Sequence, residues 1–159
     1  MSCEAAARSR GVVAAWTACE LDNELHLDEL YGVLSESTLM IWQGIRDALS
    51  HAGGELVKPR LFRWLHAAHW PLRAVSVDVL SFRRVSIPAE DLEALCADHA
   101  ALVRACAAAA IGRLRMSALA PVLAQMFDDD DPQVQDEALS SAVLMGDQTA
   151  ISRCRELAM

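Results

Sequence analysis

Apolar residues in this chain fall in short helical stripes, and the stripes themselves recur at one spacing. The segment Asp98 to Met126, DHAALVRACAAAAIGRLRMSALAPVLAQM, reads as a complete two-helix unit. Apolar residues three and four apart predict a helix over about 102–114, then a short turn and a second helix over about 118–127. Val103 has a counterpart downstream at Val134, in DDDPQVQDEAL, and another the same distance upstream at Leu72, in HWPLRAVSVDVL. In the second helix Leu123, Met126 and Phe127 stand in the same relation to Leu92, Leu95 and Cys96. One apolar skeleton at one period predicts a repeat array, in which each hairpin buries its apolar flank against the next.

Taken in order, the chain divides into units at approximately 4–34, 35–67, 68–97, 98–127 and 128–159, all within one domain. The first pairs a helix over 4–20, bearing Val12, Val13, Trp16 and Cys19, with one over 24–34 capped by Asn23. The second runs from Ser35 to about Leu49, breaks at His51-Ala52-Gly53-Gly54, and resumes over 55–67 with Pro59 near its start and Leu61, Trp64 and Leu65 inward. Trp70-Pro71 and Ile87-Pro88 open the two helices of the third unit. Asp131 caps the helix that Pro132 begins in the fifth, and Ile151, Cys154 and Leu157 fill its last helix.

Composition agrees with helices. Of 159 residues 53% are apolar, dominated by Ala, Leu and Val, and only 5% are aromatic. The five cysteines include no C-x-x-C pair, which points to reduced, buried thiols rather than a disulfide framework or zinc ribbon. Neither a signal peptide nor a run of about 18 apolar residues is seen, so a cytoplasmic protein with no membrane contact is expected. A net charge of −8 argues against nucleic acid as the partner. Its distribution is uneven: residues 58–84 carry six basic groups and one acidic, between strongly acidic flanks.

The segments DHAALVRACAAAAIGRL and DDDPQVQDEAL resemble HEAT-like repeats, particularly the short bilin-lyase (PBS-lyase) variety: an acidic turn, a Val-Arg pair, an alanine-rich helix, then Leu-Gly. The likeness departs at Gln135, where Arg is usual, and at Gly112, displaced from the customary turn glycine. It implies an all-α fold, a right-handed α-solenoid of four to five antiparallel helix pairs. Such repeats serve many unrelated binding functions, so the resemblance specifies shape and leaves activity open.

Candidate chemistry is sparse. Asp128 to Asp131 lack the alternating oxygen ligands and central glycine of a calcium loop, and read as helix-capping acids. His66, His69 and Cys96 do not make a zinc motif. No nucleophile elbow, zincin or P-loop pattern is present, so no catalytic, cofactor or metal site is expected and the protein is read as non-enzymatic. Of the four tryptophans, Trp70 beside Pro71 is the best interface anchor and the others suit a core. In stacked helix pairs of this kind the second helices line the concave face, which would carry Lys58, Arg60, Arg63 and His66, then Glu90 and Glu93, then Gln125, with Trp70 nearby.

These features predict a non-catalytic module or adaptor that grips a protein or peptide bearing basic and acidic patches. A bacterial inhibitor or immunity protein is the sharper version. Two alternatives come from the repeat type: a DNA-binding enzyme like the HEAT-like alkylpurine DNA glycosylases, using Trp64, Trp70 and Asp78, and a bilin lyase-like chromophore-handling subunit. Self-association through an uncovered last repeat is a further expectation.

Overall fold

The computed structural model describes residues 39–51 and 57–157. Among these, all regular structure is helical and no strand occurs. Eight α-helices follow in order: α1 (Leu39–His51), α2 (Val57–Trp64), α3 (Trp70–Phe82), α4 (Ala89–Cys96), α5 (Ala101–Leu114), α6 (Ala120–Gln125), α7 (Pro132–Met145) and α8 (Gln148–Leu157). Single 3-10 turns, Ser117–Leu119 and Met126–Asp128, bracket α6. The helices expected over 4–20 and 24–34, with Trp16 and the Asn23 cap, lie outside the described residues, as does the glycine break after His51.

The chain forms two compact units, Met1–Arg83 and Arg84–Met159. In the first, α1 and α2 both pack on α3. The Trp42 indole N–H donates to the Pro71 carbonyl at 3.2 Å, tying α1 to the start of α3. Residues 71–81 of α3 are all buried, including Arg73, Ser76, Asp78 and Ser81. In the second unit α5 packs most extensively on α7, α4 lies on α5, and α6 and α8 lie on α7. A helix buried on every side needs no polar face, and α5 accordingly buries Val103 and everything from Ala105 to Gly112.

The period of the sequence is written into the backbone. The helices α3, α5 and α7 begin at the evenly spaced Trp70, Ala101 and Pro132, and α4 and α6 at Ala89 and Ala120. A left-handed residue closes α3, α5 and α7 in turn, as Arg84 (φ 57°), Arg115 (φ 54°) and Gly146 (φ 87°). Glycine takes that conformation freely, whereas an L side chain is strained there. Both arginines reach onward from it: Arg84 Nη1 donates to the Arg113 carbonyl and Arg115 Nη1 to the Leu144 carbonyl at 3.3 Å. The register slips at α8. Asp147 accepts from the Ala150 amide at 2.8 Å, capping α8 directly after Gly146 with no intervening 3-10 turn.

The helices α5 and α7 approach closely at Gly112. A Cβ there would lie 2.5 Å from Ser141 Oγ, 2.6 Å from its Cβ and 2.8 Å from its Cα. Alanine is the better helix former by about 1 kcal/mol, but the Ser141 backbone cannot yield without separating the helices. Gly112→Ala is therefore expected to destabilise the protein by about 1–3 kcal/mol net. Adding Ser141→Gly should restore only part of the loss in thermal or denaturant unfolding, because the contact with Cα remains.

The buried set matches the apolar skeleton at Leu61, Trp64 and Leu65, at Leu72, Val75, Val79 and Leu80, at Leu92, Leu95 and Cys96, and at Val134, Ala138, Leu139 and Ala142. It departs in α8, where Ala150 is the fully buried residue while Ile151 and Cys154 are half-buried. Ala150, one turn before Cys154, holds the place that buried Leu119 holds one repeat earlier.

Candidate functional site

The first helices α3, α5 and α7 open on the same clasp. Arg73 Nη1 donates to the carbonyls of Ala67 (2.7 Å) and Ala68 (2.9 Å). Arg104 Nη1, one repeat on, donates to Asp98 (2.9 Å) and His99 (3.4 Å). Gln135, the next in the series, donates from Nε2 to the Asp129 carbonyl at 2.6 Å. The amide thus performs the carbonyl-binding part of the arginine's task, and the departure at Gln135 keeps the motif intact. The acidic residue of the turn is equally regular: Asp98 Oδ1 accepts from the Ala100 amide, and Asp129 Oδ1 from the Asp131 amide, both at 2.9 Å.

Arg104 does more. Its Nε and Nη2 donate to the two carboxylate oxygens of Asp129 at 2.8 and 2.7 Å, a bidentate fork that joins the starts of α5 and α7. Those bonds hold the Asp129 carboxyl below the usual carboxylate range against the opposing effect of burial, with the Asp131 amide adding to them. Asp131 accepts from the Gln133 and Val134 amides as the cap of α7, and Asp128 pairs with Arg153 at 2.6 Å. The acidic run is therefore largely structural. Among the described residues no three His, Cys, Asp or Glu side chains converge as a metal site, and no helix is long and apolar enough to cross a membrane.

The expected groove residues occupy different settings. Glu90, Glu93 and Gln125 lie on α4 and α6, and all three are exposed. Lys58 and Arg63 on α2 and His66 just beyond it are exposed as well, whereas Arg60 is half-buried. In a helix two residues differ by about 200°, so Lys58 and Arg60 flank the buried Val57–Leu61–Trp64 stripe on opposite sides. Trp70 is 36% exposed, against 4% for both Trp42 and Trp64. The remaining basic residues of the 58–84 island are partly consumed by structure, Arg73 and Arg84 by backbone carbonyls. Asp78, the acid weighed for glycosylase-like chemistry, lies buried 3.7 Å from Arg46.

Two of the expected residues meet. Glu93 and Gln125 line an open hollow of about 340 Å³ between α4 and the α6 segment. Cys96, Ala97, Val122 and Met126 supply its apolar wall, and Asp129 closes one end. Burial, with a contribution from Glu93, pushes the Cys96 thiol up to about 12, so it stays protonated and behaves as a small apolar group. Asp129 is committed to Arg104, while no ion pair or hydrogen bond engages the side chains of Glu93 or Gln125 among the described residues.

The outward row of α7 is mixed. Where α5 buries Ala105, Ala109 and Gly112, α7 carries Asp136, Ser140 and Val143, all exposed, and Leu144 beside them is 59% exposed. Two polar residues, Asp136 and Ser140, thus share that row with Val143.

Sequence reasoning missed the Arg115 strain, the Gly112 contact and the Arg104–Asp129 fork. The Val-Arg pair and the acidic turn were visible as separate signals, but nothing local shows that they bond to each other. A scan against protein-family models finds no match to this chain, and a search of curated proteins finds none either.

Proposed function

We propose that the helix pairs stack as a right-handed HEAT-like solenoid and that the protein is a non-catalytic module holding another protein or peptide along its second helices. The observation that carries this reading is the hollow shared by Glu93 and Gln125. Its two exposed polar side chains are uncommitted, while the neighbours capable of chemistry are occupied or inert: Asp129 is bonded to Arg104 and the Cys96 thiol stays protonated. Such a surface can recognise a partner, and neither the Cys96 thiol nor the fork-bound Asp129 is available there as a nucleophile or base. Support for the repeat assignment comes from the helix starts, left-handed caps and side-chain-to-carbonyl bonds that recur at α3, α5 and α7. An inhibitor or immunity protein acting on a basic toxin domain is one form this function takes, in keeping with the −8 charge.

The test is cross-linking and affinity capture from native cells with the wild-type chain and two charge-reversed variants. Glu90→Arg with Glu93→Arg, and Lys58→Glu with Arg63→Glu, change no fully buried position and should leave the helical circular dichroism signal unaltered. At least one variant is expected to lose a partner that wild type retains. Identical retention by all three proteins, or no partner with any of them, overturns the proposal.

A further inference from the structure

The hollow between α4 and α6 also indicates what kind of group it takes. Its wall is apolar at Cys96, Ala97, Val122 and Met126, and its rim offers the Glu93 carboxylate and the Gln125 amide. At about 340 Å³ it stands at the small end of ligand-sized sites and readily admits a long side chain. Asp129 adds no free charge there, because its two oxygens face the Arg104 guanidinium. The net field at the rim is set by Glu93, with Glu90 one turn away on the same helix. A group that suits both wall and rim needs an aliphatic stem and a cationic, hydrogen-donating end.

Resting on the binding-module reading, we propose that this hollow receives a lysine or arginine side chain from the partner. The stem lies over Val122 and Met126, and the cationic end pairs with Glu93 and donates to the Gln125 side-chain oxygen. Long basic side chains bury their methylene stems on apolar surface while keeping the charge at the rim. Acidic side chains would be repelled by Glu93, and an uncharged apolar one would leave Glu93 without a partner.

The test uses the full chain with carbon-13 methyl-labelled methionine, and Met126→Leu to assign the Met126 signal. The probes are four acetylated, amidated tripeptides, Ala-X-Ala, with X lysine, arginine, norleucine or glutamate. The Met126 methyl resonance should move with the lysine and arginine probes and stay in place with the norleucine and glutamate probes. Glu93→Gln, at an exposed position, should weaken the basic probes about five- to tenfold while leaving the spectrum of the free protein otherwise unchanged. An unmoved Met126 signal, equal responses to lysine and norleucine, or an unaltered response in Glu93→Gln overturns the assignment. The two proposals fail separately: a captured partner that binds Glu93→Gln as tightly as wild type removes this site and leaves the binding-module reading in place.

Discussion

Arg104→Ala is expected to destabilise the protein by about 3 kcal/mol. The change removes a bidentate pair whose side chains are only 17% and 12% exposed, together with bonds to the carbonyls of Asp98 and His99. Losing one partner of such a pair costs more than the pair itself contributes, because the other charge stays buried with fewer donors. Here Asp129 keeps only the Asp131 amide. Arg104→Lys should fall between alanine and wild type, since an ammonium keeps the charge but lacks the planar fork. The pH dependence has a definite sign. The folded-state carboxyl of Asp129 lies below its unfolded value of about 3.9. Its contribution is therefore fully present above that value and is lost as pH falls through the folded one. The stability gap between wild type and Arg104→Ala should be widest near neutrality and narrow below about pH 4. A gap that stays constant from neutral pH to about pH 3 in urea unfolding would show that the fork contributes nothing.

Leu123→Ala should cost about 2–5 kcal/mol, the range for a fully buried leucine whose removal leaves a cavity. Its counterpart in the preceding hairpin, Leu92, is also fully buried, on α4 against α5. The two substitutions thus compare equivalent positions in successive hairpins. If the hairpins are equivalent in energy as well as in geometry, the two losses should agree within about 1 kcal/mol. Cavity costs depend on how far the surroundings collapse, and α6 is a six-residue helix between two 3-10 turns. Its surroundings should relax more readily, so Leu123→Ala is expected to be the milder of the two. Denaturant unfolding of both variants measures this directly.

The helical content and the repeat spacing were legible because their causes are local. Pro71 and Pro132 favour helix starts, the Asp131 side chain can cap, and apolar residues three and four apart define an inward stripe wherever the chain lies. Leu72, Val103 and Val134 announce the period, and all three are fully buried. The residues of the hollow were legible in part: Glu93 and Gln125 were placed on second helices, but their meeting depends on how α4 and α6 lie across α5 and α7.

Charge shows where local reading stops. A basic island from 58 to 84 looks like a surface feature when charges are counted along the chain. Tertiary structure divides it into exposed residues, Lys58 and Arg63, and residues turned onto backbone carbonyls, Arg73 and Arg84. The same holds for Asp128, Asp129 and Asp131, which separate into a surface pair, a half-buried fork and a helix cap.

By itself, then, the amino-acid order determined that the described residues fold into helices and that α3, α5 and α7 return at a constant interval, since propensity, capping and stripe act within a turn or two. Only the tertiary structure decided that Gln135 stands in for arginine, that position 112 admits no side chain, that Asp129 belongs to Arg104, and that Glu93 and Gln125 face one hollow. Each of those outcomes depends on an atom in another helix or turn, or, for Gln135, on how the preceding turn presents its carbonyl. No local preference encodes such a meeting.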